Sequence, residues 1–351
     1  MIHYYWLVKS DIRLPVSYGA ILAVLLASRL FASRIQRPRN ATTLTLMEIR
    51  RETGDTATLR FLLPENTRLN ARPGQFLTFH WTLNGRTLPR SYSLSSSPLR
   101  TNYVEITVKK QGIVSTFLNR EALQGLTVKA HGPFGRFYFD EKRDHSLVMF
   151  AAGRGITPMM SMLRYIEGVA PDTEVTLFYA FRTERDVIFG EELQRLQKQL
   201  PRFSWLAIAS RPGSQWRGPR GHLNRTLIDE HLGQVDGQTF FVCGPPAFMR
   251  SMEEILMLLI VPADKILEER FMIDATLPAS LDPSMCNVIF SKSGRQYVCS
   301  SADTLLTIAE RHGIEVASNC RVGQCGSCAT RVLDGDVEME TEEGLDPALR
   351  G

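Results

Sequence analysis

Three thiols constrain this chain more than any other feature in it. Cys320, Cys325 and Cys328 fall at C-x4-C-x2-C spacing in the loop Asn319-Cys320-Arg321-Val322-Gly323-Gln324-Cys325-Gly326-Ser327-Cys328. Thiolates are soft ligands for iron, and this spacing is one by which a short loop holds a [2Fe–2S] cluster. Gly323 and Gly326 suit that role, because backbone without a Cβ can approach the sulfurs and aim N–H groups at them. Two readings compete with it: two structural thiols and a stray, or part of a zinc site. Zinc pairs normally come as two C-x2-C knuckles, and one is present. The cluster needs a fourth ligand, and no cysteine follows Cys328. Cys286 and Cys299 lie in two apolar runs, Cys286-Asn287-Val288-Ile289-Phe290 and Gln296-Tyr297-Val298-Cys299, joined by Ser291-Lys292-Ser293-Gly294-Arg295. That pattern reads as a hairpin whose cysteines are small buried hydrophobes, not ligands. The expectation is a chain that stops before its last ligand and, as written, holds no stable cluster.

With 351 residues there is room for two or three domains, each with its own core. Basic residues number 41 against 37 acidic, a net charge of +4, with no concentrated basic stripe of the kind a nucleic-acid binder carries. Six cysteines, three of them clustered, argue for metal ligation in a reducing, cytoplasmic compartment over a secreted disulfide framework. Residues 1–40 stand apart as an N-terminal segment. Within it Leu14–Ala32 is apolar over about the length a bilayer core requires of a helix. Tyr4, Tyr5 and Trp6 precede it, and Arg34, Arg37 and Arg39 follow, which would leave the later domains on the cytoplasmic side of an inner membrane. A packed or amphipathic helix and a disordered leader are the alternatives. A cleaved signal peptide fits poorly, because no small-x-small site closes the apolar run.

From 41 to 142 the pattern changes to short β runs between turns: Thr42–Arg50, Ala57–Leu63, Gln75–Leu83, Arg90–Leu94, Tyr103–Lys109 and Leu126–Ala130. An antiparallel barrel is expected. It contains Arg90-Ser91-Tyr92-Ser93, with Pro73-Gly74-Gln75-Phe76 before it. Lys109, Gly112-Ile113-Val114-Ser115-Thr116 and Gly132-Pro133-Phe134-Gly135 come after. Alone, the R-x-Y-S element is an ordinary strand with a surface Arg and a core Tyr. Four elements in this order and spacing resemble the flavin domain of the ferredoxin–NADP reductase superfamily, which implies FAD, or FMN as in some relatives. The residue types fit. Arg90 can pair a phosphate with two hydrogen bonds, Tyr92 offers a flat face, and the Ser93 hydroxyl can bond the reactive flavin nitrogen. Gly112 followed by Val114, Ser115 and Thr116 opens a helix whose free N–H groups suit a pyrophosphate.

From 143 to 274 strands alternate with helices: Ser146–Ala151, Thr157–Gly168, Val175–Phe181, Glu191–Leu200, Trp205–Ser210, Leu223–Leu232, Thr239–Cys243 and Pro246–Leu259. This predicts a doubly wound parallel sheet that binds ligands at the carboxyl ends of its strands. Ala151-Ala152-Gly153-Arg154-Gly155-Ile156-Thr157-Pro158 lies at the first strand-to-helix turn, a credible phosphate site through Gly153, Gly155, Thr157 and Pro158. It is similar to the A-A-G-x-G-[IV]-T-P element of the same superfamily, with Arg154 where a small or hydroxyl residue is usual. That cation would either add a phosphate contact or obstruct the nicotinamide. Phe241-Val242-Cys243-Gly244-Pro245-Pro246 resembles the family's C-G-P-P element, placing Cys243, Gly244 and Pro245 beside the nicotinamide ring; otherwise Cys243 is a buried strand-end thiol. Ser210 and Arg211 end another strand, where relatives using NADPH hold the 2′-phosphate. An Arg tilts the choice from NADH towards NADPH.

Residues 275–351 are read as a linker, the hairpin, a helix at Asp303–His312 stopped by Gly313, the cysteine loop and a strand at Ala329–Leu333. This α+β arrangement resembles the β-grasp of plant-type ferredoxins without its final segment. The order barrel, nicotinamide domain, ferredoxin resembles flavin reductases of the phthalate-dioxygenase, hybrid-cluster-protein and membrane-desaturase types. The resemblance implies an NAD(P)H oxidoreductase. A hydride passes to flavin N5, electrons pass singly to a [2Fe–2S] centre, and that centre reduces an oxygenase, a desaturase or hydroxylase, or a hybrid-cluster protein. Two rivals are a flavin reductase or diaphorase whose ferredoxin module serves only for docking, and a membrane scaffold that binds nucleotide without turnover.

Overall fold

The computed structural model describes residues 41–233, 235–271, 285–300, 303–314 and 328–337, and isolated positions between 316 and 345. Leu14–Ala32, Cys320 and Cys325 lie outside the described residues. Among the described residues no helix is long and apolar enough to cross a membrane.

Six antiparallel strands form the first sheet: β1 (Thr42–Thr53), β2 (Thr56–Leu62), β3 (Phe76–Leu83), β4 (Arg86–Ser93), β5 (Tyr103–Lys109) and β6 (Thr127–Phe134), in the order β4-β3-β6-β1-β2-β5. Alternation along the strands sends Ala57, Leu59 and Phe61 of β2 and Leu77, Phe79 and Trp81 of β3 into one interior. A bridge between Leu94 and Ile106 joins the two edge strands, which closes the sheet into a barrel. Strand β4 begins four residues earlier than Arg90, where the sequence placed it. The cause is Asn84-Gly85, both left-handed (φ 50° and 73°), which form a two-residue turn pairing Leu83 with Arg86. Helix α1 (Ile113–Arg120) adds Val114 and Leu118 to the interior.

The second sheet is parallel throughout, in the order β11-β10-β7-β8-β9. Its strands are β7 (Ser146–Ala152), β8 (Glu174–Phe181), β9 (Phe203–Ala209), β10 (Thr239–Cys243) and β11 (Ile266–Glu269). They are linked by α2 (Ile156–Val169), α3 (Gly190–Gln199), α4 (Arg225–His231) and α5 (Pro246–Leu258). Strands β7 and β10 are apolar almost without break, because each is covered on both faces. The chain winds outward from β7 in both directions, so β7 and β10 flank the switch point where such sheets open a crevice. Strand β11 was not anticipated; four residues are too few for a periodic signal.

Helix α2 ties sheet and barrel together. Ser161 donates to the carbonyl of Ser96 at 2.7 Å, and Arg164 reaches both the Ser95 carbonyl (2.7 Å) and Glu105 of β5 (2.9 Å). Beyond 285, β12 (Met285–Phe290) and β13 (Arg295–Ser300) form the expected hairpin, with Cys286 opposite Cys299. Helix α6 (Leu305–Arg311) starts two residues later than expected, because Thr304 caps it by accepting from the Thr307 N–H (3.1 Å). The strand expected at Ala329–Leu333 is not formed. Those residues are irregular, and among the described residues the last sheet consists of the two strands of the hairpin.

Candidate active site

Strand β4 carries Arg90-Ser91-Tyr92-Ser93 to the barrel edge that faces the parallel sheet. Tyr92 packs edge-on to Phe79 with 6.0 Å between ring centroids, and burial pushes its phenol up to about 12. Ser93 is 5 % exposed, and its Oγ donates to Glu269 Oε2 at 2.6 Å, across the boundary between the two sheets. The turn into α1 is tightened by Ser115, whose Oγ accepts from the N–H groups of Gln111 (2.9 Å) and Gly112 (2.8 Å). That leaves the N–H groups of Ile113, Val114 and Ser115, which precede any intrahelical acceptor, for another partner. Thr116 already bonds back to Gly112. Lys109 pairs with Asp55 at 3.2 Å.

The facing wall comes from the strand ends of the parallel sheet. Gly153-Arg154-Gly155 is a single tight turn after β7. A Cβ on Gly155 would lie 1.9 Å from the Cys243 carbonyl oxygen, so the Gly153–Gly155 turn and the end of β10 are in direct contact. One on Gly244 would meet Phe248 at 2.5 Å and the Ala152 Cβ at 3.0 Å. Register places Cys243 beside Ala151 on one side and Glu269 on the other. The Cys243 thiol is fully buried; that burial, and then the Glu269 charge, push its pKa up, so it stays neutral. Pro158 is buried in the first turn of α2, and the Thr157 hydroxyl donates to the Arg154 carbonyl at 2.9 Å. Ser210 and Arg211 follow β9, two strands away, where their N–H groups bond Phe181 and Arg182.

Between the walls lies a cleft of about 250 Å³, lined from the barrel by Arg90, Tyr92, Ser93, Lys109 and Gly112 and from the sheet by Arg154, Thr157 and Phe271. A flat aromatic dinucleotide with a pyrophosphate fits this lining. Two aromatic side chains, a hydroxyl, a helix N-terminus and three cations serve a planar ring and an anion. Sequence reasoning missed Glu269 and Phe271, which end and follow a strand too short to notice, and it missed that Arg154 points across the cleft. An acid and an aromatic two residues apart at the end of the domain were the available signal. Of the cluster thiols, Cys328 is half-buried. Three thiols within nine residues of sequence suit iron by their softness.

Comparisons with known proteins agree with this arrangement. Residues 43–139 match the oxidoreductase FAD-binding domain family, 149–254 the oxidoreductase NAD-binding domain family, and 288–350 the 2Fe-2S iron-sulfur cluster binding domain family. The ferredoxin reductase component of a 3-ketosteroid-9-alpha-monooxygenase from Rhodococcus rhodochrous is 31% identical, over 87% of this chain and 89% of that protein. An NADPH oxidoreductase of Mycobacterium tuberculosis is 30% identical, over 93% of this chain and 83% of its own length. Among solved structures, a phthalate dioxygenase reductase, described as a modular structure for electron transfer from pyridine nucleotides to [2Fe–2S], superimposes with a TM-score of 0.62. It covers 87% of this chain and 92% of that one at 22% identity, a likeness of fold. The chain belongs to the ferredoxin–NADP reductase superfamily, in the branch that joins FAD, nicotinamide and [2Fe–2S] domains. It is an oxidoreductase that passes electrons from a nicotinamide nucleotide through FAD and a [2Fe–2S] centre to a partner protein.

Proposed function

We propose that this chain is the reductase component of an oxygenase system, with the cleft between Tyr92 and Phe271 as its flavin site and the strand ends at Gly153–Gly155 and Cys243–Pro245 as its nicotinamide site. The observation that carries the reading is the Ser93–Glu269 hydrogen bond, which joins the two walls at a point lined by both. FAD, when bound, supplies the exchange between a two-electron hydride and single electrons. The side chains hold and orient. Glu269 accepts the hydrogen bond of the Ser93 hydroxyl and so fixes that hydroxyl with its lone pairs toward the cleft. Cys243 contributes a small, uncharged, polarizable surface at the switch point. Arg90, with Gly112, Val114, Ser115 and Thr116 at the start of α1, is assigned to the flavin phosphates. Lys109 is assigned to the same cleft, and Ser210 with Arg211 to a 2′-phosphate, which favours NADPH. Cys320, Cys325 and Cys328 are assigned to iron.

The proposed acceptor is an oxygenase component, as the Rhodococcus relative's name suggests. Leu14–Ala32 is read as an anchor, which would favour a membrane-bound hydroxylase or desaturase; finding the full chain wholly soluble after cell fractionation overturns that part. The central reading is tested by anaerobic absorbance of the purified protein before and after NADPH and NADH. A yellow protein bleached by NADPH at lower concentration than by NADH is expected, and a colourless protein after FAD has been supplied would defeat it.

A further inference from the structure

Arg154 is the residue at which this chain departs from the usual pattern of the phosphate turn, and its side chain does not stay with that turn. It crosses the cleft to the barrel, where Nη1 donates to Gln111 Oε1 at 2.5 Å. On the way the guanidinium lies 5.3 Å from the centroid of the Phe271 ring. Gln111 directly precedes Gly112 and the free N–H groups of Ile113, Val114 and Ser115 at the start of α1. Among the described residues Arg154 pairs with no carboxylate; its partners are an amide oxygen and an aromatic face. A half-buried cation with these neutral partners gains from an anion that joins it. Burial holds its pKa below the ordinary arginine value, the direction expected of a cation that lacks a counter-charge.

We propose that Arg154, although it belongs to the nicotinamide domain, is a ligand of the flavin phosphate, closing over the pyrophosphate held at the start of α1. This rests on the flavin reading of the cleft. The alternative at the outset was a contact to the nicotinamide nucleotide, and the direction of the side chain argues against it, because Arg154 leaves its own turn for the barrel. One consequence is that bound FAD adds a further tie between the two domains, through the Arg154 guanidinium, to those made by Ser161, Arg164 and the Ser93–Glu269 pair. A second is that the contribution depends on the ligand's phosphate and is absent for riboflavin.

The test uses the full chain freed of flavin, titrated with FAD and with riboflavin by fluorescence quenching, alongside Arg154→Ser and Arg154→Lys. Losing one charge-assisted hydrogen bond predicts about a tenfold weaker FAD affinity in R154S. Riboflavin affinity and NADP+ affinity stay unchanged, the FAD affinity falls less steeply with salt than in the parent, and R154K recovers most of the loss. R154S that binds FAD as the parent does while losing NADP+ affinity overturns the proposal, and so does an equal loss for FAD and riboflavin. If the parent chain itself fails to quench FAD, the flavin reading falls first and the proposal with it.

Discussion

A methyl group is enough to test how the site is assembled. Alanine at Gly155 would drive a Cβ to within 1.9 Å of the Cys243 carbonyl, on the backbone of a central strand that cannot recede. Overpacking of this kind costs about 1–3 kcal/mol or more. Gly155→Ala is therefore expected to lower the thermal midpoint and blunt the response to NADPH; unchanged melting would mean the two motifs do not abut in solution. Ser93→Ala removes one hydroxyl at the junction of the walls. The expected result is flavin reduction by NADPH slowed about tenfold or more in stopped flow, the cost of one lost hydrogen bond, with FAD still bound. Equal rates would exclude Ser93 from the reaction. Ser93 was legible in the sequence because R-x-Y-S is a local pattern on one strand. Its partner Glu269 was not, because 176 residues separate the two and only the fold brings them to 2.6 Å.

At the scale of elements, two contacts between strands and helices set the stability. Arg164 of α2 is held between Glu105 of β5 and Glu192 of α3, with N–O distances of 2.9 and 2.6 Å. Removing the cation leaves Glu105 with Arg60 (2.8 Å) and Glu192 with Arg195 (3.6 Å), so Arg164→Ala is expected to cost about 2 kcal/mol in urea denaturation, less than a fully stranded buried charge. A loss below about 1 kcal/mol, the range of exposed pairs, would show the network to be solvated. The second contact is His80 on β3 against His131 on β6, ring centroids 4.7 Å apart. Burial lowers both imidazole pKa values, with His131 acting further on His80 and Lys129 on His131. The folded state thus binds fewer protons than the unfolded chain once the pH drops below about 6.5. The stability these residues permit is complete above that value and falls as acid is added. Denaturation midpoints should be flat above it and decline below, and His80→Asn should flatten the acid limb; a slope unchanged in that variant would assign it elsewhere. The parallel sheet was legible because its buried strands and amphipathic helices repeat over long windows. The early start of β4 was hidden in Asn84-Gly85, and β11 in its brevity.

For the whole molecule the question is whether the modules work in series. The cleft proposed for the flavin is lined, among the described residues, by positions between Arg90 and Phe271, so reduction of the flavin should not depend on the cysteine loop. In a version of the protein that also carries the fourth cluster ligand, replacing Cys320, Cys325 and Cys328 together by serine removes three soft ligands while leaving every cleft residue in place. Bleaching of the flavin by NADPH is expected to stay within about twofold of the parent, since no transition-state contact is lost. Iron content and reduction of a protein acceptor should both disappear, whereas a small acceptor such as ferricyanide is still reduced directly. The order of events can be read from one stopped-flow record, with the flavin band fading first and the acceptor following only in the parent. A tenfold slower bleaching in the triple variant would place the loop inside the nucleotide site. Unchanged delivery to the protein acceptor would make the iron centre dispensable and the C-terminal module a docking surface, the rival that the sequence left standing.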